Sequence, residues 1–233
     1  RDLHSFPTRR SSDLVDEIVT PDGKAVPKRG RGQGRRIDEL IKRGQEIVVQ
    51  VVKDPLKTKG ARLSMQLSIA GRYLVYMPQG GGVGVSRRLP DGERSQMRKN
   101  LEKLHAASKE KGGYIVRTAA QGADKEDFER EIAYLHKLHE VLERRSVDAD
   151  APSLIFQEAD LPIRVLRDVL GSEFDGAEID DEKQFQRVTS FFQRTAPELV
   201  SSVEMHSHAE HLFERYGAEE AFRSTLSRRV DLP

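Results

Sequence analysis

The sequence predicts an α+β fold, and three observations carry that expectation. The stretch from Glu46 to Pro78 is β-branched and alternating, which reads as part of a small barrel; amphipathic helical spacing runs through 93–109 and 125–145; and short strands alternate with helices after residue 150. A chain of 233 residues is long enough to bury a core, as one large unit or a few small ones.

Composition narrows the function classes. With 36% hydrophobic, 6% aromatic and 33% charged residues the chain is polar for a globular protein, which predicts exposed helices plus a disordered segment. No uninterrupted apolar run approaches the roughly 18 residues of a membrane span. Cysteine is absent, so disulfides, zinc–cysteine sites and thiol catalysis are excluded. The opening RDLHSFPTRRSSDL scatters charges and has no apolar h-region, so nothing reads as a secretory signal and a cytoplasmic protein is expected. Residues 1–14 read as a translated sequencing-adapter artefact that carries no function. Together with Arg at position 1 and a strand-like pattern cut off at Arg229–Pro233, they predict a chain truncated at both ends.

The net charge of +1 hides an uneven distribution, because Lys24 to Arg36 holds six basic residues and no acidic one. The run KRGRGQGRR sets Arg29, Arg31 and Arg35 among Gly30, Gly32 and Gly34, a flexible composition able to follow a phosphate backbone. The competing reading is a solvated linker.

The elements follow in order. Ile37, Leu40 and Ile41 sit at helical spacing and Gly44 ends that turn. EIVVQVVKD is a strand closed by Pro55; Leu63, Met65, Leu67 and Ile69 then alternate with Arg62, Ser64, Gln66 and Ser68 as a half-buried strand. Gly71 breaks the run before the strand Tyr73–Met77. Gln79–Gly84 reads as a glycine-rich loop, Val85–Arg88 as a short strand, and Pro90-Asp91-Gly92 as a turn. A helix from Glu93 to about Lys109 carries Met97, Leu101 and Leu104 on one face until Gly112-Gly113 stop it. Tyr114–Val116 is a strand. The helix Lys125–Arg145 keeps Phe128, Ile132, Leu135, Leu138 and Leu142 in one stripe. After a linker at 148–152 come a strand at Ser153–Gln157, a helix at Leu161–Leu170, a strand at Ala177–Ile179, a helix at Phe185–Thr195, a strand at Ser202–Met205 and a helix near His211–Arg215.

Among residues able to carry chemistry, Arg117 and Thr118 directly follow a buried strand and precede a loop with Gly122. A guanidinium binds phosphate through two parallel hydrogen bonds, and the hydroxyl adds a donor, so the pair suits an anion. The plainer alternative pairs Arg117 with Asp124 or Glu126 and leaves Thr118 capping a turn. Gly71 ends one strand, Tyr73–Val75 lead the next with apolar side chains able to pack against a base, and Gly80–Gly84 allow close approach of a ligand backbone, although a glycine-rich loop without GK[ST] is a weak sign. Arg87 and Arg88, on a strand, are expected to point to opposite faces. His206, His208 and His211 with Glu210 invite a metal reading, but their intervals of two and three do not fit HExxH, which favours exposed or capping histidines. Asp180-Asp181-Glu182 and Asp148 with Asp150 read as turn and N-cap residues. No GxSxG, P-loop or paired metal-carboxylate motif occurs.

In order along the chain, GQEIVVQV, KGARLSMQLSIAGRYLVYMP, GVSRRL, YIVRTAA, LPIRVLRDVL and RRVDLP resemble the ribonuclease E/G family, over about Val15 to Pro233. The adapter-like residues and the basic run predict a disordered or artefactual start with a basic loop at 1–34. The resemblance implies a partial S1 (OB) RNA-binding barrel at 35–65, an α/β 5′-sensor domain at 66–163 and part of an RNase H-like α/β domain at 164–233. It also implies that Arg117 and Thr118 grip the 5′-monophosphate of single-stranded RNA, that Gly71 and Val75 lie beside the terminal nucleotide, and that Lys59 contacts RNA. Arg87 and Arg88 match the family's SRR phrase, and with Arg29, Arg31 and Arg35 they complete the expected RNA-binding set. The family's magnesium-binding aspartates, a zinc-sharing cysteine pair that joins protomers into homo-oligomers, and a further sensor arginine are expected beyond Pro233. These 233 residues therefore carry no catalytic or metal-binding residue in this reading. The expected function is RNA binding and 5′-monophosphate sensing within a magnesium-dependent, single-strand-specific endoribonuclease of RNA processing and decay. A non-catalytic RNA- or ribosome-associated scaffold is the alternative.

Overall fold

The computed structural model describes residues 18–19, 37–57, 60–108, 111–171 and 174–226. Two compact units emerge, Arg1–Glu158 and Ala159–Pro233. Both mix strands and helices, so the fold is α+β as expected.

In the first unit, strand β1 (Gln50–Lys53) pairs antiparallel with β2 (Arg62–Ser64) as a two-stranded ribbon, with an irregularity between Val51 and Lys53. The expected strand from Glu46 is thus shorter. The alternating run Leu63–Ile69 is also divided, because the Ser64 hydroxyl oxygen accepts from the Gln66 N–H at 3.0 Å and bends the chain before β3 (Ile69–Ala70). Serine competing locally for a backbone donor is the physical reason that alternation alone misses this break.

A four-stranded sheet follows in the order β3, β4 (Leu74–Met77), β6 (Gly113–Val116), β5 (Gly82–Val85). The β3–β4 and β4–β6 pairs are antiparallel, and β5–β6 is parallel across a crossover that contains helix α1 (Asp91–Ser108). The segment Gln79–Gly84 read as a glycine-rich loop is a loop only in its first half, and from Gly82 onward it is the strand β5. Its glycines serve close approach: a Cβ on Gly113 would stand 2.9 Å from the Gly81 nitrogen and 3.0 Å from the Gly82 oxygen. Arg87 and Arg88, expected on a strand, lie in an exposed turn after it.

One face of the sheet is covered. Leu74, Tyr76, Tyr114 and Val116 pack with Met97 and Leu101 of α1 and with Phe128, Ile132 and Leu135 of helix α2 (Lys125–Asp148). The register sets Val75 and Ile115, which alternate with them, on the opposite, open face as a directly paired couple. Helix α2 starts in a capping box: Asp127 N–H donates to the Asp124 carboxylate at 2.9 Å and Asp124 N–H to that of Asp127 at 3.1 Å. Ser153–Gln157 forms no strand. An apolar cleft of about 380 Å³ opens in this unit between Glu46–Gln50 and Leu142, Leu154 and Phe156, and it holds none of the predicted site residues.

The second unit is a strand–helix–strand. Strand β7 (Ala177–Ile179) runs parallel to β8 (Val203–Met205), joined through α4 (Glu182–Thr195), while α3 (Leu161–Val169) packs on α4. Its core is Ile163, Leu170, Val188, Phe191, Phe192, Ala196 and Val203. Asp181 caps α4 by accepting the Gln184 N–H at 2.8 Å, as the turn reading expects. Two short helices, α5 (Leu212–Arg215) and α6 (Ala218–Thr225), close the described chain. Among the described residues no helix is long and apolar enough to cross a membrane.

Candidate functional site

Three segments meet where β5 and β6 end. Arg117 N–H donates to the Tyr73 carbonyl at 2.7 Å and carries the β4–β6 ladder one residue further, while Ser86 N–H donates to the Val116 carbonyl at 2.9 Å on the other flank. The turn Gly71–Tyr73, the pair Arg117–Thr118 and the turn entered at Ser86 are therefore gathered at one end of the sheet. Crevices beside the carboxyl ends of parallel strands are common ligand positions.

Arg117 is fixed through its side chain as well. Its Nη1 donates to the Gly71 carbonyl at 2.6 Å and at longer range, 3.4 Å, to that of Arg72. The structure thus joins Arg117 and Gly71, 46 residues apart, in one hydrogen bond. Asp124, a candidate carboxylate partner of Arg117 in the sequence, is occupied with the α2 capping box. Thr118 is exposed and opens a 3-10 turn, Thr118–Ala120. Val75 is half-buried, and its register partner Ile115 is 37% exposed and also lies beside Gly84, so an apolar patch adjoins the arginine.

Sequence reasoning missed Glu131. It stands on the buried stripe of α2 and its carboxylate is 0% exposed. It accepts the backbone N–H of Arg72 and, at 2.8 Å, that of Tyr73, and the Leu74 N–H faces it too. Burial pushes its pKa up to about 7, against the downward pull of those N–H groups and of the Arg117 charge. A glutamate inside an apolar 3–4 stripe was the available signal. Arg72 is also buried, with its guanidinium 5.3 Å from the Tyr73 ring centre.

Lys59, Arg29, Arg31 and Arg35 lie outside the described residues. In the second unit His206 faces two acceptors: Nδ1 lies 2.8 Å from a Glu178 carboxylate oxygen and Nε2 lies 2.8 Å from the Glu210 carbonyl. Tyr216 hydroxyl donates to the second Glu178 oxygen at 2.6 Å. Among the described residues no group of three or more His, Asp or Glu is placed to hold a metal ion.

A family model described as "Ribonuclease E/G family" matches residues 68–233. Ribonuclease G of Haemophilus influenzae is 39% identical over 232 residues, 99% of this chain and 45% of that protein. Ribonuclease G of Escherichia coli K12 is 35% identical over 199 residues, covering 85% of this chain and 40% of its own length. Ribonuclease E of a Nostoc species is 32% identical over 213 residues, or 89% and 30% respectively. The chain spans less than half the length of these curated relatives.

Proposed function

Because this chain belongs to the ribonuclease E/G family, we propose that it is the RNA-binding, 5′-end-sensing part of a single-strand-specific endoribonuclease of RNA processing and decay. In this reading the β1–β2 ribbon belongs to an S1-like barrel, residues 66–163 form the sensor, and the β7–α4–β8 unit belongs to an RNase H-like domain. Cleavage would depend on magnesium ligands outside these residues, and the protein would work in the cytoplasm.

The observation that carries the proposal is the anchored guanidinium of Arg117. A guanidinium has five N–H donors in a planar fork. The bond from Nη1 to the Gly71 carbonyl fixes that plane at the sheet end. Thr118 is next in the chain, and Val75 with Ile115 offers apolar surface to a base. A terminal monophosphate would dock on Arg117 and Thr118, with the first base over Val75. Arg87 and Arg88 would add salt-dependent attraction to the backbone, together with Lys59 and the basic run that includes Arg29, Arg31 and Arg35.

The test is binding of fluorescent single-stranded RNAs that differ only in a 5′-monophosphate or 5′-hydroxyl, at two salt concentrations, to wild type and Arg117→Ala. The expected result is a monophosphate preference that survives moderate salt and disappears in the variant. Equal binding of both RNAs by both proteins would instead identify a general basic RNA-binding scaffold.

A further inference from the structure

Gly71 and Leu74 form the tip of the β3–β4 hairpin, with Gly71 N–H donating to the Leu74 carbonyl at 2.8 Å. In a tight hairpin the reciprocal bond would run from the fourth residue's N–H to the first residue's carbonyl. Here Leu74 N–H faces the Glu131 carboxylate, and the Gly71 carbonyl accepts from Arg117 instead. Glu131 thus gathers the N–H groups of Arg72, Tyr73 and Leu74 on one side of the turn, while Arg117 holds its carbonyl on the other. The carboxyl comes so near that a Cβ on Gly71 would lie 2.7 Å from Glu131 Cδ.

We propose that Glu131 is the positioning residue of this seat. Its carboxylate holds the Gly71–Tyr73 turn in the conformation that presents the Gly71 carbonyl to Arg117, and so determines where the guanidinium stands. The inference deepens the phosphate-sensing reading and rests on it.

Packing alone does not account for a glutamate here. Phe128, Ile132 and Leu135 are buried beside it on α2, and a leucine would extend that stripe without desolvating a charge. The hydrogen bonds made by the carboxylate run to the turn 59 and 58 residues away, whose next bond is to Arg117. Arg117 faces Glu131 across this turn and pulls its carboxyl toward the charged form. The two side chains therefore act on opposite sides of one peptide group.

The experiment is run at pH 8, where the Glu131 carboxyl is charged, and has two readouts on the full 233-residue chain. The first is the nitrogen-15 spectrum of the Arg117 guanidinium, in which a fixed Nη1 gives separate, slowly exchanging signals. The second is the ratio of affinities for 5′-monophosphate and 5′-hydroxyl single-stranded RNA. Glu131→Gln replaces one acceptor by a donor that opposes the turn's N–H groups. It is expected to merge the Arg117 signals and cut the ratio at least about fivefold, with 5′-hydroxyl binding unchanged within about twofold. Unchanged Arg117 signals would overturn the proposal, as would an equal loss of binding to both RNAs. If wild type shows no monophosphate preference, the phosphate-sensing reading falls while the Arg117 signals still decide the role of Glu131. Should Glu131→Gln give no melting transition, Glu131→Asp, which keeps the charge but shortens its reach by one methylene, carries the same expectations.

Discussion

The carboxyl of Glu131 occupies the place where Gly71 would carry a side chain: a Cβ there would stand 2.7 Å from Glu131 Cδ and 3.1 Å from Cγ. The glycine is required by this contact, not by a left-handed backbone, since Gly71 is absent from the positive-φ residues.

Gly71→Ala is therefore expected to be costly although it adds a single methyl. The obstructing carboxyl is buried and held by backbone N–H groups, so it cannot swing into solvent. Overpacking of this kind costs about 1–3 kcal/mol. Hydrogen-exchange protection of the β4 and β6 amides should fall accordingly, and wild-type protection in the variant would show that the turn can yield.

Glu131 also gives the first unit a pH dependence of definite sign. Its folded pKa of about 7 lies above the ordinary 4.5, so the stabilisation it contributes is complete below 4.5 and is lost as pH rises through about 7. The gap corresponds to at most about 3 kcal/mol. Wild type should be less protected in β4 and β6 at pH 8 than at pH 5.5, and Glu131→Gln should flatten that difference. An unchanged slope in the variant would assign the effect to other groups.

His206 provides a second, independent titration. Both ring nitrogens face acceptors, and only the doubly protonated imidazolium donates to both. Its pKa is raised, first by the bond to Glu178 and then by that to the Glu210 carbonyl, while Glu178 is lowered, first by Tyr216 and then by His206. The histidine's contribution is complete below its ordinary 6.5 and is lost as pH rises through the raised value. That of Glu178 is present above 4.5 and lost as pH falls through the lowered one. An NMR titration of the His206 ring should give a midpoint above that of an ordinary histidine and a downward move in Glu178→Gln. A midpoint at or below the ordinary value would contradict the geometry.

Helices were legible from periodicity where an apolar stripe met a covered sheet. Met97 and Leu101 on α1 and Phe128, Ile132 and Leu135 on α2 are all buried as their spacing predicts. The strand Gly82–Val85 was not legible, because a strand's ladder uses backbone groups while sequence reading relies on side chains, and glycine supplies none. Ser153–Gln157 failed in the opposite sense: its apolar residues resemble a strand but find no partner strand among the described residues. Arg117 and Gly71 could be singled out by residue type and by likeness to a family, but their mutual bond could not, since 46 residues separate them. Glu131 was hidden because a charged residue within an apolar stripe reads as an interruption of it.

That separation in sequence has a thermodynamic corollary. Gly71, Arg117 and Glu131 come from a hairpin tip, a strand end and a helix, and the bonds joining them span 46 to 59 residues. No local stretch of chain can assemble the seat before the sheet and α2 have docked. A ligand held there has no counterpart in the unfolded chain, so its occupancy adds to the stability of the whole first unit, by about 2.7 kcal/mol at a hundredfold excess over Kd. The first unit's melting temperature thus becomes a binding gauge that needs no label on the ligand.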